Sequence, residues 1–83
     1  MSKRMRAKMR IGNVQKHNDE CEQLTLHGVS KDGPYPSDGS DEDNTFAKFT
    51  PSVTLDISIM NPALLGAFKT GDTFYVDFTP IEV

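Results

Sequence analysis

The chain has 83 residues and a mass of 9.2 kDa, which is room for one small domain and excludes a second hydrophobic core. Hydrophobic residues make up 36% of the sequence, and a core of this size supplies on the order of 3–5 kcal/mol, so self-association or a partner chain is expected to add stability. The net charge is −3, yet the cations cluster in the first ten residues and leave the remainder strongly acidic.

Two common stabilisers of small domains are excluded by the residue types. Cys21 is the single cysteine, so no internal disulfide forms, and no Cys/His set has zinc-site spacing. No apolar run approaches the roughly 20 residues that cross a bilayer. The basic start is followed by Ile11-Gly12-Asn13 instead of the apolar stretch of a secretory signal. We therefore expect a soluble cytosolic protein without membrane association.

Residues 1–7 are predicted to form a basic N-terminal arm, and residues 8–83 a single small β domain. A solvated, frayed start is the competing interpretation, because charge runs at termini are common. Nucleic acid is the less favoured partner, because the acidic body repels phosphate and no aromatic residue is interleaved with the cations. The basic residues assigned to partner binding are Lys3, Arg4, Arg6, Lys8 and Arg10.

The next segments predict a β-hairpin. Residues 8–14 alternate as a strand and slip by one position at Gly12-Asn13, which indicates a β-bulge. Residues 17–20 form a polar turn, and residues 22–29 return with Leu24 and Leu26 on one face.

A long acidic loop is predicted at residues 30–44, where Gly, Pro, Ser and acidic residues oppose helix and sheet. Its carboxylates lack the ordered spacing of an EF-hand, so a solvated loop and a contact for a basic partner surface remain as alternatives to a metal site. The simplest basic partner is another copy of the chain. The residues assigned to partner binding here are Tyr35, Asp38, Asp41, Glu42 and Asp43.

The second half predicts two more strands, a short helix and a last strand. Residues 45–50 are expected to be extended, and Val53, Leu55, Ile57 and Ile59 alternate without error, which places them at the centre of the core. Asn61-Pro62 predicts the start of a helix over 63–68, and residues 73–79 alternate again. The predicted fold class is mainly β: a small antiparallel barrel or sandwich of about five strands, with one short helix before the last strand.

Catalysis is not expected. His17 and His27 lie on opposite strands of the predicted hairpin, and Cys21 stands among acidic residues that disfavour its thiolate. No phosphate-binding glycine loop, nucleophile elbow or metalloprotease helix occurs. We expect no enzyme activity, no metal and no cofactor.

Three segments carry a resemblance to a known group: Tyr35 to Pro51, Asn61 to Leu65, and Phe74 to Pro80. They resemble small proteins encoded by tailed bacteriophages, over roughly residues 5 to 80. The resemblance implies a phage origin and supplies no catalytic residue. It implies a minor virion component, such as a capsid decoration or cement protein, found in the virion and in the host cytoplasm before assembly.

The virion role implies binding to other copies of the chain, to a phage capsid protein, or to both. The first alternative is an early phage protein that inhibits a host factor or defence system, with the acidic loop imitating nucleic acid. The second is a small barrel that binds single-stranded nucleic acid.

Overall fold

A computed structural model describes residues 4–81 as one open antiparallel sheet. Its strands are β1 (Met5–Asn18), β2 (Cys21–Gly28), β3 (Thr54–Ile59) and β4 (Thr73–Phe78). The strand order is β3-β2-β1-β4. The described residues contain no helix, and hence none long and apolar enough to cross a membrane.

The β1–β2 hairpin and its bulge are confirmed. Strand pairing shifts register between Ile11 and Asn13, so Gly12 is the extra residue opposite Leu26 and Thr25. A Cβ on Gly12 would lie 2.8 Å from the His27 ring, so a larger residue requires that ring to move.

The two faces of the sheet differ sharply in polarity. Alternate residues of each strand point to opposite sides, and the apolar set on one side forms the core. The other side is polar and carries the intervening residues of the same strands, among them Arg6, Lys8, Thr25 and Tyr75. The buried hydrophobic residues are Ala7, Met9, Ile11, Leu24, Leu26 and Ile59.

The position of β3 corrects the predicted centre of the core. Ile59 is buried, but Val53, Leu55 and Ile57 are only half-buried. The predicted alternation is present, yet β3 is an edge strand, and no other described strand lies on its outer side. The centre of the core therefore belongs to β1 and β2.

The chain between β3 and β4 must cross the sheet, because these two strands lie at opposite edges, and it crosses on the apolar face. Leu65 and Phe68 pack against the core during this crossing, and the Phe68 and Phe74 rings meet edge to face at 5.7 Å. The predicted helix over 63–68 is absent. Two successive turns replace it, and Gly66 adopts a φ of 77°, outside the helical region.

The predicted strand at 45–50 is also absent, and the described residues form neither a closed barrel nor a second layer of strands. Phe46 and Phe49 are three positions apart, so they cannot share one face of a strand. Ala47 closes a turn onto Asn44, and Phe49 has a φ of 60°. Without this strand the sheet stays open, with β3 and β4 as its edges.

Candidate functional site

The residues predicted to form a basic arm lie partly within β1. Met5 is paired with Phe78 of β4, and Ala7 is fully buried, so the predicted boundary after residue 7 falls inside a strand. Arg4 is exposed just before the strand, and Lys3 lies outside the described residues. The alternation of β1 brings the remaining predicted cations, Arg6, Lys8 and Arg10, onto the polar face.

Arg6 binds two side chains of β4. Its Nε and Nη2 atoms donate to the two carboxylate oxygens of Asp77 at 2.6 and 3.2 Å. Its guanidinium carbon lies 4.4 Å from the centre of the Tyr75 ring, in cation–π contact. Arg6 lowers the pKa of Asp77, because a hydrogen-bonded cation favours the charged carboxylate.

Lys8 joins the basic strand to the acidic loop within a single chain. Its Nζ atom lies 3.7 Å from Asp43 and 3.5 Å from Asp32. The Tyr75 hydroxyl donates to Asp43 at 2.9 Å, and this bond raises the pKa of Tyr75. Contact between copies was one interpretation of these opposite charges, but here Lys8 and Asp43 pair inside one molecule.

Asn44 connects the loop to the sheet and was not identified from the sequence. Its side chain is 0% exposed. Its Oδ1 accepts a hydrogen bond from the Lys8 backbone N–H at 2.8 Å, and its Nδ2 donates to the Val29 carbonyl at 2.8 Å. The Thr45 backbone N–H then donates to the Arg6 carbonyl, and the Arg6 backbone N–H donates to the Thr45 side-chain hydroxyl. Beyond the end of β2, Asn44 and Thr45 therefore take its place as the hydrogen-bonding neighbours of β1.

Asp41 organises the loop from inside. It is 4% exposed, and its carboxylate accepts bonds from the backbone N–H groups of Lys31, Asp43 and Asn44 and from the Asn44 side chain. Burial raises the pKa of Asp41, but these donors outweigh it, so the pKa lies below its usual value. Asp41 was predicted to bind a partner, but its burial leaves almost no surface for one.

The other predicted loop residues also make contacts in their own chain. Asp38 accepts from the Ser40 N–H, and Glu42 lies 3.1 Å from the Lys31 ammonium. The Tyr35 ring packs edge to face on Phe49 at 5.7 Å, which holds the loop against the segment that follows it.

An exposed apolar patch adjoins the start of β1 and the end of β4. It consists of Met5, Phe46 and Phe78, each between 37 and 44% exposed, and we call it the Met5 patch. The sequence placed Met5 in the predicted arm, Phe46 in the predicted strand at 45–50 and Phe78 in the last strand, and it assigned none of them to a binding surface. Their exposure follows from the open sheet, since a further strand or layer would cover them.

The histidines and Cys21 do not form a catalytic arrangement in the part of the chain described. His17 hydrogen-bonds Gln23 at 3.2 Å, and no hydrogen bond joins either histidine to the thiol. His27 lies beside Gly12 on the polar face. No group of three His, Cys, Asp or Glu side chains within residues 4–81 is arranged to hold a metal ion.

Stability is expected to fall as the pH drops below about 4. The folded-state pKa of Asp41 lies below its ordinary value of 3.8, so the unfolded chain takes up this proton first. The contribution of Asp41 is therefore present above that value and is lost as the pH falls towards the folded-state pKa. Thermal unfolding midpoints measured across a pH series report this loss.

Asp41→Asn is the matched variant for the pH series. It is expected to be less stable at neutral pH and to show a shallower loss in acid, because one of the protonating groups is gone. An acid loss of the same steepness in the variant would contradict the assignment to Asp41.

Comparison with protein-family models, with curated proteins and with solved structures finds no match to this chain.

Proposed function

We propose that this protein acts without catalysis, by contact with other protein molecules, as a minor component of a bacteriophage particle such as a capsid decoration protein. The observation that carries the proposal is a thin open sheet whose two edge strands are unpaired within residues 4–81. Open edges offer backbone N–H and C=O groups that pair with another chain.

The surface area supports a binding role. A compact protein of this mass exposes about 4,900 Å², whereas this chain exposes 6005 Å². The surplus of about 1,100 Å² is comparable to the roughly 800 Å² that each partner contributes to a standard interface.

The molecule is also more extended than a compact chain of its length, which agrees with the surplus of exposed surface. The radius of gyration is 15.0 Å, against about 12 Å for a compact chain of this length. The molecule extends 48 × 36 × 16 Å, and its long axis matches the extended length of the 14-residue β1. A plate this thin suits a protein that lies flat on a larger surface.

The alternative of nucleic-acid imitation is less well supported. Imitation requires a row of exposed carboxylates, but Asp41 is buried and Asp43 is bound by Lys8 and Tyr75. Binding of single-stranded nucleic acid is disfavoured for a related reason. Arg6 and Lys8 are paired with carboxylates, so phosphate would compete with bonds inside the chain.

The phage context comes from the resemblance of residues 35–51, 61–65 and 74–80 to small proteins of tailed bacteriophages. The first of these segments contains Asp41 and Asn44, which organise the loop, and the last contains β4 with its free edge. The similarity therefore includes the loop that Asp41 and Asn44 organise and most of edge strand β4, and it leaves out edge strand β3.

Mass spectrometry of purified particles tests the proposal. The chain is expected in a fixed ratio to the major capsid protein, and the ratio is expected to survive a high-salt wash. Absence from the particle together with early expression would replace the virion role by the inhibitor role. Turnover of a small compound by the pure protein would overturn both.

A further inference from the structure

The outer edge of β4 is a backbone surface that pairs with no other strand in the described part of the chain. β4 pairs only with β1, and β1 lies between β4 and β2. Ile11 directs its N–H and C=O to Asp72 and Gly71, on the β4 side, while Lys8 directs its own to Asn44 and Val29, on the β2 side. On the N-terminal side of the bulge, the odd-numbered residues of β1 therefore direct their backbone N–H and C=O groups towards β4.

This alternation identifies which backbone N–H and C=O groups of β4 have no partner among the described strands. Met9 and Ala7 face Phe74 and Val76 in the register, so these are the hydrogen-bonded pairs. The alternate residues of β4 must then direct their N–H and C=O groups away from β1. The residues with free edge groups are Thr73, Tyr75 and Asp77.

The free edge lacks the features that natural proteins use to prevent edge-to-edge pairing. Edge strands are commonly interrupted by lysine, by proline within the strand or by a bulge. β4 contains none of these over Thr73–Phe78. Its single charge, Asp77, is already neutralised by Arg6.

The other edge is electrostatically less suited to pairing with itself. β3 carries Asp56 near its centre, hydrogen-bonded to the Thr25 hydroxyl. Within the described residues no cation lies at ion-pair distance from Asp56. Antiparallel self-pairing would bring two uncompensated carboxylates close together, which is unfavourable.

We propose that two copies of this chain pair through β4, antiparallel and about a two-fold axis, joining their sheets into one. One register continues the apolar face and the polar face of the sheet from one copy into the other. It places Val76 opposite the partner subunit's Val76 and Phe74 opposite the partner subunit's Phe78. Tyr75 then exchanges both backbone hydrogen bonds with the partner's Asp77. Apolar residues meet on one face and polar residues on the other.

The occupant is a second copy because the surplus area and the charges agree with it. The surplus of about 1,100 Å² is somewhat larger than the roughly 800 Å² that each chain of a standard-size dimer buries, and Phe78 of the Met5 patch lies in the proposed interface. Arg6 neutralises Asp77 in each copy, so no unpaired charge enters the interface. The inference rests on the proposed contact function and specifies one of its surfaces.

Disulfide trapping tests the register. Opposed residues of a non-hydrogen-bonded antiparallel pair have Cα atoms about 4.5 Å apart, within the range of a disulfide. Val76→Cys in a Cys21→Ser background is expected to give mostly covalent dimer on mild oxidation. Ile57→Cys in the same background is the matched control, since Ile57 is also half-buried on the apolar face of an edge strand, and it is expected to stay monomeric.

Two measurements on the unmodified chain complete the test. Light scattering is expected to give twice the 9.2 kDa monomer mass. Hydrogen exchange is expected to show protection of the Tyr75 and Asp77 amides that rises with protein concentration, while those of Asp56 and Ser58 stay unprotected.

A monomer at all concentrations, cross-linking through Ile57→Cys, or protection of the β3 amides would each overturn the proposed interface. Light scattering and particle composition also separate the two proposals. A monomer found in stoichiometric amount in particles removes only the β4 dimer, whereas a β4 dimer absent from particles removes only the virion role.

Discussion

Asn44→Ala is expected to lower the free energy of unfolding by about 2–5 kcal/mol, because it leaves two partly buried backbone groups without their hydrogen-bond partner. The Lys8 N–H and the Val29 carbonyl both bond to this side chain, and both lie where the loop joins the sheet. The Asp41 carboxylate loses one of its donors as well. Urea unfolding followed by far-UV circular dichroism measures the loss.

Asn61→Ala is the matched control for that experiment. The Asn61 side chain accepts one hydrogen bond, from the Ala63 N–H, in an exposed turn. Its removal is expected to change the stability by about 1 kcal/mol or less. Equal effects of the two substitutions would mean that Asn44 does not connect the loop to β1. Faster hydrogen exchange at the Lys8 amide in Asn44→Ala would locate the damage directly.

Leu24→Ala is expected to destabilise the domain by about 2–5 kcal/mol, since truncating a buried leucine leaves a cavity. Leu24 is 3% exposed and lies on a central strand. A core this small supplies on the order of 3–5 kcal/mol in total, so the variant should be largely unfolded at room temperature. Circular dichroism without denaturant shows whether the sheet is lost.

Ile57→Ala provides the comparison, because Ile57 lies directly opposite Leu24 on the neighbouring strand. The sequence placed Ile57 at the centre of the core, but the side chain is only half-buried on edge strand β3. Its truncation is expected to lower the stability by roughly 1–2 kcal/mol, because less apolar surface returns to water. A larger loss than that of Leu24→Ala would mean that β3 gains a neighbour in solution.

The candidate site was only partly predictable from the sequence. The clustering of cations and carboxylates identified Lys8 and Asp43, which do meet. The roles of Asn44 and Asp41 were not predictable, because the sequence does not show which asparagine or aspartate of an acidic loop is buried. Tyr75 and Asp77 lie in the last predicted strand, but their contact with Arg6 depends on β4 lying next to β1.

The sequence by itself determined the hairpin, the bulge at Gly12-Asn13 and the strands now seen at 54–59 and 73–78. These depend on local alternation and turn chemistry, which neighbouring residues specify. Only the tertiary structure decided that β3 and β4 lie at opposite edges of an open sheet. The order of strands in a sheet depends on pairing between residues that are far apart in the sequence. The alternation of apolar and polar residues along each strand does not encode that pairing.

The same reason explains the two elements that were wrongly predicted. The Asn61-Pro62 pattern favours a helix locally, but the crossing over the apolar face needs Leu65 and Phe68 to reach the core, and turns with Gly66 at positive φ allow this. Residues 45–50 favour extended backbone, but Thr45 pairs with Arg6 while Phe49 turns back to Gly39. In both segments, packing against distant residues outweighed local preference.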